Sequence, residues 1–309
     1  MKDFLAIVQG EKMDILAQLE QHINRRVARG APTEHTRRVY RMNARMYLEW
    51  CVERGLEPDA ATEEDVVDYR AALIARGYSP ATLATKLHVV RVLYEALGRR
   101  DDNPARYVYA PVDHTPDEES ISRLTPAQSR AVLEAVDAAD NPHRVRDGAM
   151  LRILLFLGLR GHELCALDLK DVQDGRLVVR RGKGRRRRTL YLTEGLAEAL
   201  AAWLVERQAA AHETALFVNL VDGGRLGTGG LRKIVNGYLR RAGVKTLGKA
   251  THLLRHTACT LAFLGGAELV DVQRMAGHSD PRTTSQYIHI IQAEQRNPAR
   301  VIEALVGVA

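Results

Sequence analysis

Apolar residues at helical spacing recur on either side of a charged, proline-bearing stretch, 99–124, that has no helical period. That stretch divides the 309 residues into a front domain over 1–110, a connector at 111–124 and a back domain over 125–309. In the front domain, Leu16, Leu19, Ile23 and Val27 predict a helix over 12–28. Val39, Met42, Met46 and Trp50 predict a second over 34–54, stopped by Gly55 and Pro58. Thr62 and Asp65 have the spacing of a capping box, opening a helix that runs to Ala75. Ser79-Pro80 caps a fourth, reaching Leu97, with Leu83, Leu87, Val90, Tyr94 and Leu97 inward. Short Gly or Pro connections between four such helices predict a compact bundle. Arg37, Arg38, Arg41, Arg45, Lys86 and Arg91 fall away from these stripes, as a solvated face or as a surface for a nucleic-acid backbone.

The back domain opens on Thr125-Pro126, and helices are expected over 125–138 and 143–158. Glu163, Leu164 and Leu167 begin a short helix. Residues 177–179 and 189–192 read as strands of a hairpin tipped by Gly182-Lys183-Gly184. A helix over 194–210, a strand over 216–219 and a helix over 228–242 follow. Asp280-Pro281 starts another short helix, and Val301, Ile302, Leu305 and Val308 give the tail a helical period. The fold class is therefore mainly α with a small β-hairpin or sheet: a helical bundle followed by an α-rich second domain.

Charge narrows the partners. A net charge of +7 and a sequence pI near 9.4 favour a polyanion, nucleic acid first. Cys51, Cys165 and Cys259 have neither metal nor redox spacing, so a zinc site or disulfide framework is not expected. No apolar run has the length of a signal peptide or of a membrane span, so a soluble, cytoplasmic protein without membrane contact is expected.

The chemistry is densest at 251–290. His252, Arg255 and His256 stand at i, i+3 and i+4 and share a helical face. His278 follows Gly277, and Tyr287 comes nine residues later. Arginine grips non-bridging phosphate oxygens in a planar fork, and histidine moves protons near neutral pH. Tyrosine offers an oxygen able to carry a phosphoryl group. Upstream, Arg160 and Glu163 stand in Gly-Leu-Arg-x-x-Glu-Leu-x-x-Leu, and Lys183 sits in a run with Arg180, Arg181, Arg185, Arg186, Arg187 and Arg188.

This order of elements resembles the tyrosine recombinases, also called the lambda-integrase family. The matching pieces are the Arg160 box, His-x-x-Arg-His at 252–256, Gly277-His278 and Thr284-x-x-Tyr287. Leu157 stands where the family often has threonine, and Gly161-His162 fills the variable pair. The resemblance implies cutting and rejoining of duplex DNA through a 3′-phosphotyrosyl intermediate, with no cofactor and no metal. It implies Tyr287 as nucleophile, Lys183 as general acid and Arg160, Arg255 and His278 as phosphate ligands. His252 would be the general base, with Glu163 and His256 in support. The arginines around Lys183 would lie along DNA phosphates. It further implies a front domain that binds DNA, a specific recombination site in double-stranded DNA, and a homo- or hetero-tetramer on that DNA. No separate domain ahead of the bundle is evident, which leans toward a Xer-like plan. A DNA-binding protein that no longer cuts and a type IB topoisomerase-like enzyme are the alternatives.

Overall fold

The computed structural model describes residues 2–112, 123–180, 187–209, 212–245 and 250–277, with the backbone alone for 2–13 and 29. The chain divides into two compact units, Met1–His114 and Thr115–Ala309. The described residues are mostly helical, with one small sheet among them.

The first unit contains α1 (Lys2–Arg26), α2 (Glu34–Glu53), α3 (Glu63–Ala75) and α4 (Pro80–Ala96). Local signals start each of the last three. Thr33, Thr62 and Ser79 accept the N–H of the residue three positions on, and Thr62 forms a complete capping box with Asp65. Helix α1 begins ten residues earlier than its apolar stripe suggested. Once nucleated, a helix adds residues cheaply, and the leading residues carry no proline to stop it.

The inward face of α2 is rotated from the expected stripe. Tyr47, Leu48 and Cys51 are fully buried, whereas Met42 is 56% exposed. Tyr47 occupies the centre, edge-on to Tyr69 and Tyr94, and shares a 2.6 Å hydrogen bond with the Tyr94 hydroxyl. Lys86, expected on the outer surface, is instead buried on α4. Its ammonium donates to Asn43 Oδ1 at 3.0 Å and lies over the Tyr78 ring. Arg91 is likewise structural, because it donates to the carbonyls of Ala105 and Val108. Those two residues are buried, so the chain beyond α4 packs back on the first core at 103–105 and 108. Arg37 donates to Glu34 and Asn24, and Arg41 pairs with Glu20. Arg38 and Arg45 remain on the exposed face of α2.

The second unit contains α5 (Pro126–Asp137), α6 (Arg144–Leu157), α7 (Gly161–Cys165), α8 (Glu194–Glu206), α9 (Thr228–Arg241), α10 (Ala250–Leu264) and α11 (Leu269–Ala276). Helix α6 is buried nearly all round, Arg146 and Asp147 included, and packs against α5, α8 and α10. Between α7 and α8 lie β1 (Val172–Gln173), β2 (Arg176–Val179) and β3 (Arg188–Tyr191), antiparallel in that order. Leu177 opposes Leu190 and Val179 opposes Arg188, so Arg188 shares the inner face of β3 with Leu190. Strand β1 was not expected. Its turn to β2 is Asp174-Gly175, both at positive φ, which is a hairpin signal.

The strand expected at 216–219 does not form. Residues 215–218 are buried, but the chain bends at 216–217 and makes only isolated bridges, Asp168 with Ala215 and Val218 with Arg225. Leu216 N–H donates to Leu167 O, and the carbonyls of 215, 216, 217 and 218 accept from Arg207, Trp203 Nε1, Leu226 N–H and Arg146 in turn, so no ladder is needed.

Leu154 is fully buried at the heart of this core. Leu154→Ala is expected to cost about 2–5 kcal/mol, read as a lower denaturant midpoint for the second unit.

Candidate active site

Two left-handed glycines shape the site. Gly158 ends α6 at φ 62° and turns the chain so that Leu159 is buried and Arg160 begins α7. The Glu163 carboxylate then accepts the Arg160 backbone N–H at 2.9 Å and the Arg160 guanidinium at 3.2 Å. The i, i+3 spacing of the Arg-x-x-Glu box is thus a capping arrangement as well as an ion pair.

Gly277 ends α11 at φ 65°. The last carbonyls of a helix lack partners within it and form its negative end. Here three consecutive ones each receive a different arginine. Met275 O accepts from Arg188 at 3.0 Å, Ala276 O from Arg255 at 2.7 Å and Gly277 O from Arg160 at 3.4 Å. Arg255 also donates to Gly158 O across the other end of the cluster, at 2.5 Å. Arg188 clasps Glu163 with both nitrogens, at 2.9 and 2.8 Å.

Three guanidiniums therefore converge around one carboxylate, leaving two positive charges in excess. Glu163 is 1% exposed and Arg255 4% exposed, whereas the Arg160 side chain keeps 20% of its surface. Burial pushes the Glu163 carboxyl up, but the hydrogen bonds and charge of Arg188, then those of Arg160, outweigh it and hold the group at about 2. Burial, then the charge of Arg160, draws Arg255 down to about 10, so it stays cationic at neutral pH. His162, on the exposed side of α7, is lowered chiefly by partial desolvation.

Helix α10 supplies the histidine face expected from the spacing: Arg255 points inward, His252 is exposed and His256 is half-buried. Arg180 pairs with buried Asp171 and Arg187 is exposed. Arg188 is the correction. Grouped in the sequence with the phosphate-lining arginines, it instead points inward from β3 and fastens Glu163. Its register, two residues before buried Leu190, is the signal that marks it as inward-facing. Arg181, Lys183, Arg185, Arg186, His278 and Tyr287 lie outside the described residues. Among the described residues there is no group of three or more His, Cys, Asp or Glu side chains able to hold a metal ion, and no helix long and apolar enough to cross a membrane.

Glu163 ionises far more readily in the fold than in the unfolded chain, so it stabilises the protein above its ordinary value of 4.5, and that contribution fades as pH falls toward 2. Glu163→Gln is expected to lower the melting temperature at pH 7, with the gap to wild type closing between about pH 5 and 2. Gly277→Ala introduces two faults, a left-handed alanine and a Cβ only 2.7 Å from Arg188 Nη1. It is expected to cost more than about 1 kcal/mol in thermal unfolding.

Comparison with known proteins places this cluster in context. The sequence profile of the phage integrase family matches residues 122–294, and that of the phage integrase N-terminal SAM-like domain matches 17–102. Tyrosine recombinase XerC of Mycobacterium tuberculosis (strain ATCC 25177 / H37Ra) is 32% identical over 278 residues, covering 85% of this chain and 90% of that protein. Tyrosine recombinase XerC of Corynebacterium efficiens is 44% identical over 147 residues, spanning 47% of this chain and 46% of that protein. Among solved structures, XerH site-specific recombinase bound to palindromic difH substrate in a post-cleavage complex has a similar fold. Its TM-score is 0.72 at 22% identity, over 86% of this chain and 79% of that one. With both units matched and the arginine boxes brought together around Glu163, the chain belongs to the phage integrase family and is a tyrosine-type site-specific recombinase.

Proposed function

We propose that the protein cuts and rejoins duplex DNA at a specific recombination site, with the cluster around Glu163 as its phosphate-binding centre. The observation that carries this reading is the excess of two positive charges held on five elements before any phosphate arrives. Preorganised donors of this kind stabilise charge that develops in a transition state. Arg160 and Arg255 take the non-bridging oxygens, with Arg160 the more accessible of the two. His278, the residue after Gly277, adds a hydrogen bond.

In the first step the Tyr287 phenolic oxygen attacks phosphorus, giving up its proton to His252, with His256 in support. A 3′-phosphotyrosyl bond forms and the bond to the 5′ oxygen breaks. Lys183 protonates that leaving oxygen. In the second step a 5′-hydroxyl from the partner strand attacks the phosphotyrosyl bond and releases Tyr287. One phosphodiester is exchanged for another, so the energy of the bond is conserved. Arg180, Arg181, Arg185, Arg186 and Arg187 follow the DNA backbone, contributing affinity and salt dependence more than sequence preference.

The division of labour is a DNA-binding front domain over 1–110, a connector at 111–124 and a catalytic domain over 125–309. Four subunits, identical or in pairs with a relative, assemble on paired sites. The reaction takes place in the cytoplasm. The similarity to proteins named tyrosine recombinase XerC supports recombination at a specific site, in integration, excision or dimer resolution.

The test is a nicked duplex carrying DNA from beside the protein's own gene, resolved on a denaturing gel. Wild type is expected to leave a covalent protein–DNA adduct and Tyr287→Phe none, with DNA binding retained in both. An adduct that persists in Tyr287→Phe would assign the nucleophile elsewhere. Tight binding by wild type without any adduct would favour a protein that binds but does not cut.

A further inference from the structure

Arg188 is joined to more of the site than its place in a basic run suggests. It begins β3, five residues after Lys183 in sequence. Its fork closes on both Glu163 oxygens, and its Nε donates to Met275 O, so one side chain ties β3 to α7 and to the last turn of α11. The Arg188 side chain is only 12% exposed, and each of its three nitrogens already donates to one of these partners. It is therefore badly placed to reach a phosphate. The same carboxylate holds Arg160, and the next two carbonyls of α11 hold Arg255 and Arg160. Both phosphate arginines are thus attached to groups that Arg188 itself fastens. Gly277 is matched to this arrangement, since any Cβ there would collide with the Arg188 guanidinium.

We infer that Arg188 is a positioning residue for the cleavage step: by clamping Glu163 and the end of α11 to strand β3, it sets where Arg160 meets the scissile phosphate. The inference rests on Arg160 being a phosphate ligand. Lysine cannot replace it, because a single ammonium cannot span two carboxylate oxygens in a planar fork while also meeting a carbonyl on α11. Misplacement of a transition-state ligand by about 1 Å is enough to cost about a hundredfold in rate.

Removing Arg188 has a second, titratable consequence. The charged or titratable groups facing Glu163 are Arg160 and His162 on α7, Arg188 on β3 and Arg255 on α10. The α11 end presents backbone carbonyls to the arginines. Arg188 is the strongest influence holding the buried carboxyl ionised against its burial. Without it the Glu163 pKa rises. Below that raised value the carboxyl is neutral and holds Arg160 less firmly, so activity is lost on the acid side and recovered as pH rises.

The experiment measures single-turnover adduct formation on the nicked duplex at saturating protein, from pH 5 to 9, for wild type, Arg188→Lys and Arg188→Met. DNA affinity and melting temperature are measured alongside. Arg188→Lys is expected to form adduct about tenfold more slowly and Arg188→Met about a hundredfold more slowly at pH 7. DNA affinity should stay within about twofold of wild type, as a side chain that contacts no phosphate requires. The acid limb of Arg188→Met should lie at higher pH than that of wild type. Wild-type rates in both variants would overturn the inference, as would a loss confined to DNA affinity or an equal slowing of both variants with an unmoved acid limb. Should Arg188→Met fail to melt cooperatively, Arg188→Lys decides alone: a wild-type rate overturns the inference and a slowed rate with retained affinity upholds it. Absence of adduct in the wild type would instead sink the parent reading.

Discussion

A single buried carboxylate holds the second unit's functional centre together. Glu163 lies where an ionised group is costly, and it stays ionised because Arg188 grips both of its oxygens while Arg160 adds a third donor and its own backbone N–H. A buried ion pair of this kind is weak evidence for stability, since desolvation opposes the attraction. Its value is geometric. Once Glu163 is in place, the orientations of two guanidiniums follow, and the end of α11 supplies fixed acceptors for all three. The negative helix end and the carboxylate together balance part of the arginine charge and leave an excess suited to a phosphodiester.

Rigidity behind this cluster comes from α6, buried nearly all round and packed between α5, α8 and α10. Its C-terminal glycine delivers Arg160, and its last carbonyl region anchors Arg255 through Gly158 O. A second buried network braces the same helix: Arg146 and Asp147 pair within α6, Tyr238 of α9 donates to Asp147, and Arg146 reaches Val218 O. Such a scaffold fixes the arginine donors before any ligand arrives, the preorganisation that the proposed reaction calls for. The first unit uses different means, a cluster of Tyr47, Tyr69, Tyr94 and Trp50 rings with buried Lys86 satisfied by Asn43.

Helix starts were legible because their causes are local. Thr62, Ser79 and Thr125 each satisfy backbone donors three residues away, and no distant contact is involved. Face assignments were less legible. The stripe Val39, Met42, Met46 and Trp50 has helical spacing, yet the inward side of α2 is decided by which residues fit against Tyr94 and Tyr69, and these are Tyr47 and Leu48. Lys86 read as a surface charge because sequence shows a residue's type and not its partner. The run at 216–219 read as a strand because its apolar residues signal burial, whereas a strand also needs an aligned neighbour and here the chain bends at 216–217.

The identity of the chemical groups was set by the sequence alone. Arg160, Glu163 and the His252–His256 box carry the resemblance by type and spacing, and i, i+3, i+4 placement on a helix is a local property. Tertiary structure decided how those groups are supported. Alternation with Leu190 sets Arg188 apart from Arg187 as inward-facing, but nothing near it in the chain names its partners, since Glu163 and Met275 are 25 and 87 residues away. Only the hairpin register that turns it inward, and the docking of α11 against β3, bring that guanidinium to a carboxylate from which water is excluded. Local propensity specifies the elements and their caps, whereas the partner of a long cationic side chain depends on which acceptors packing places within its reach.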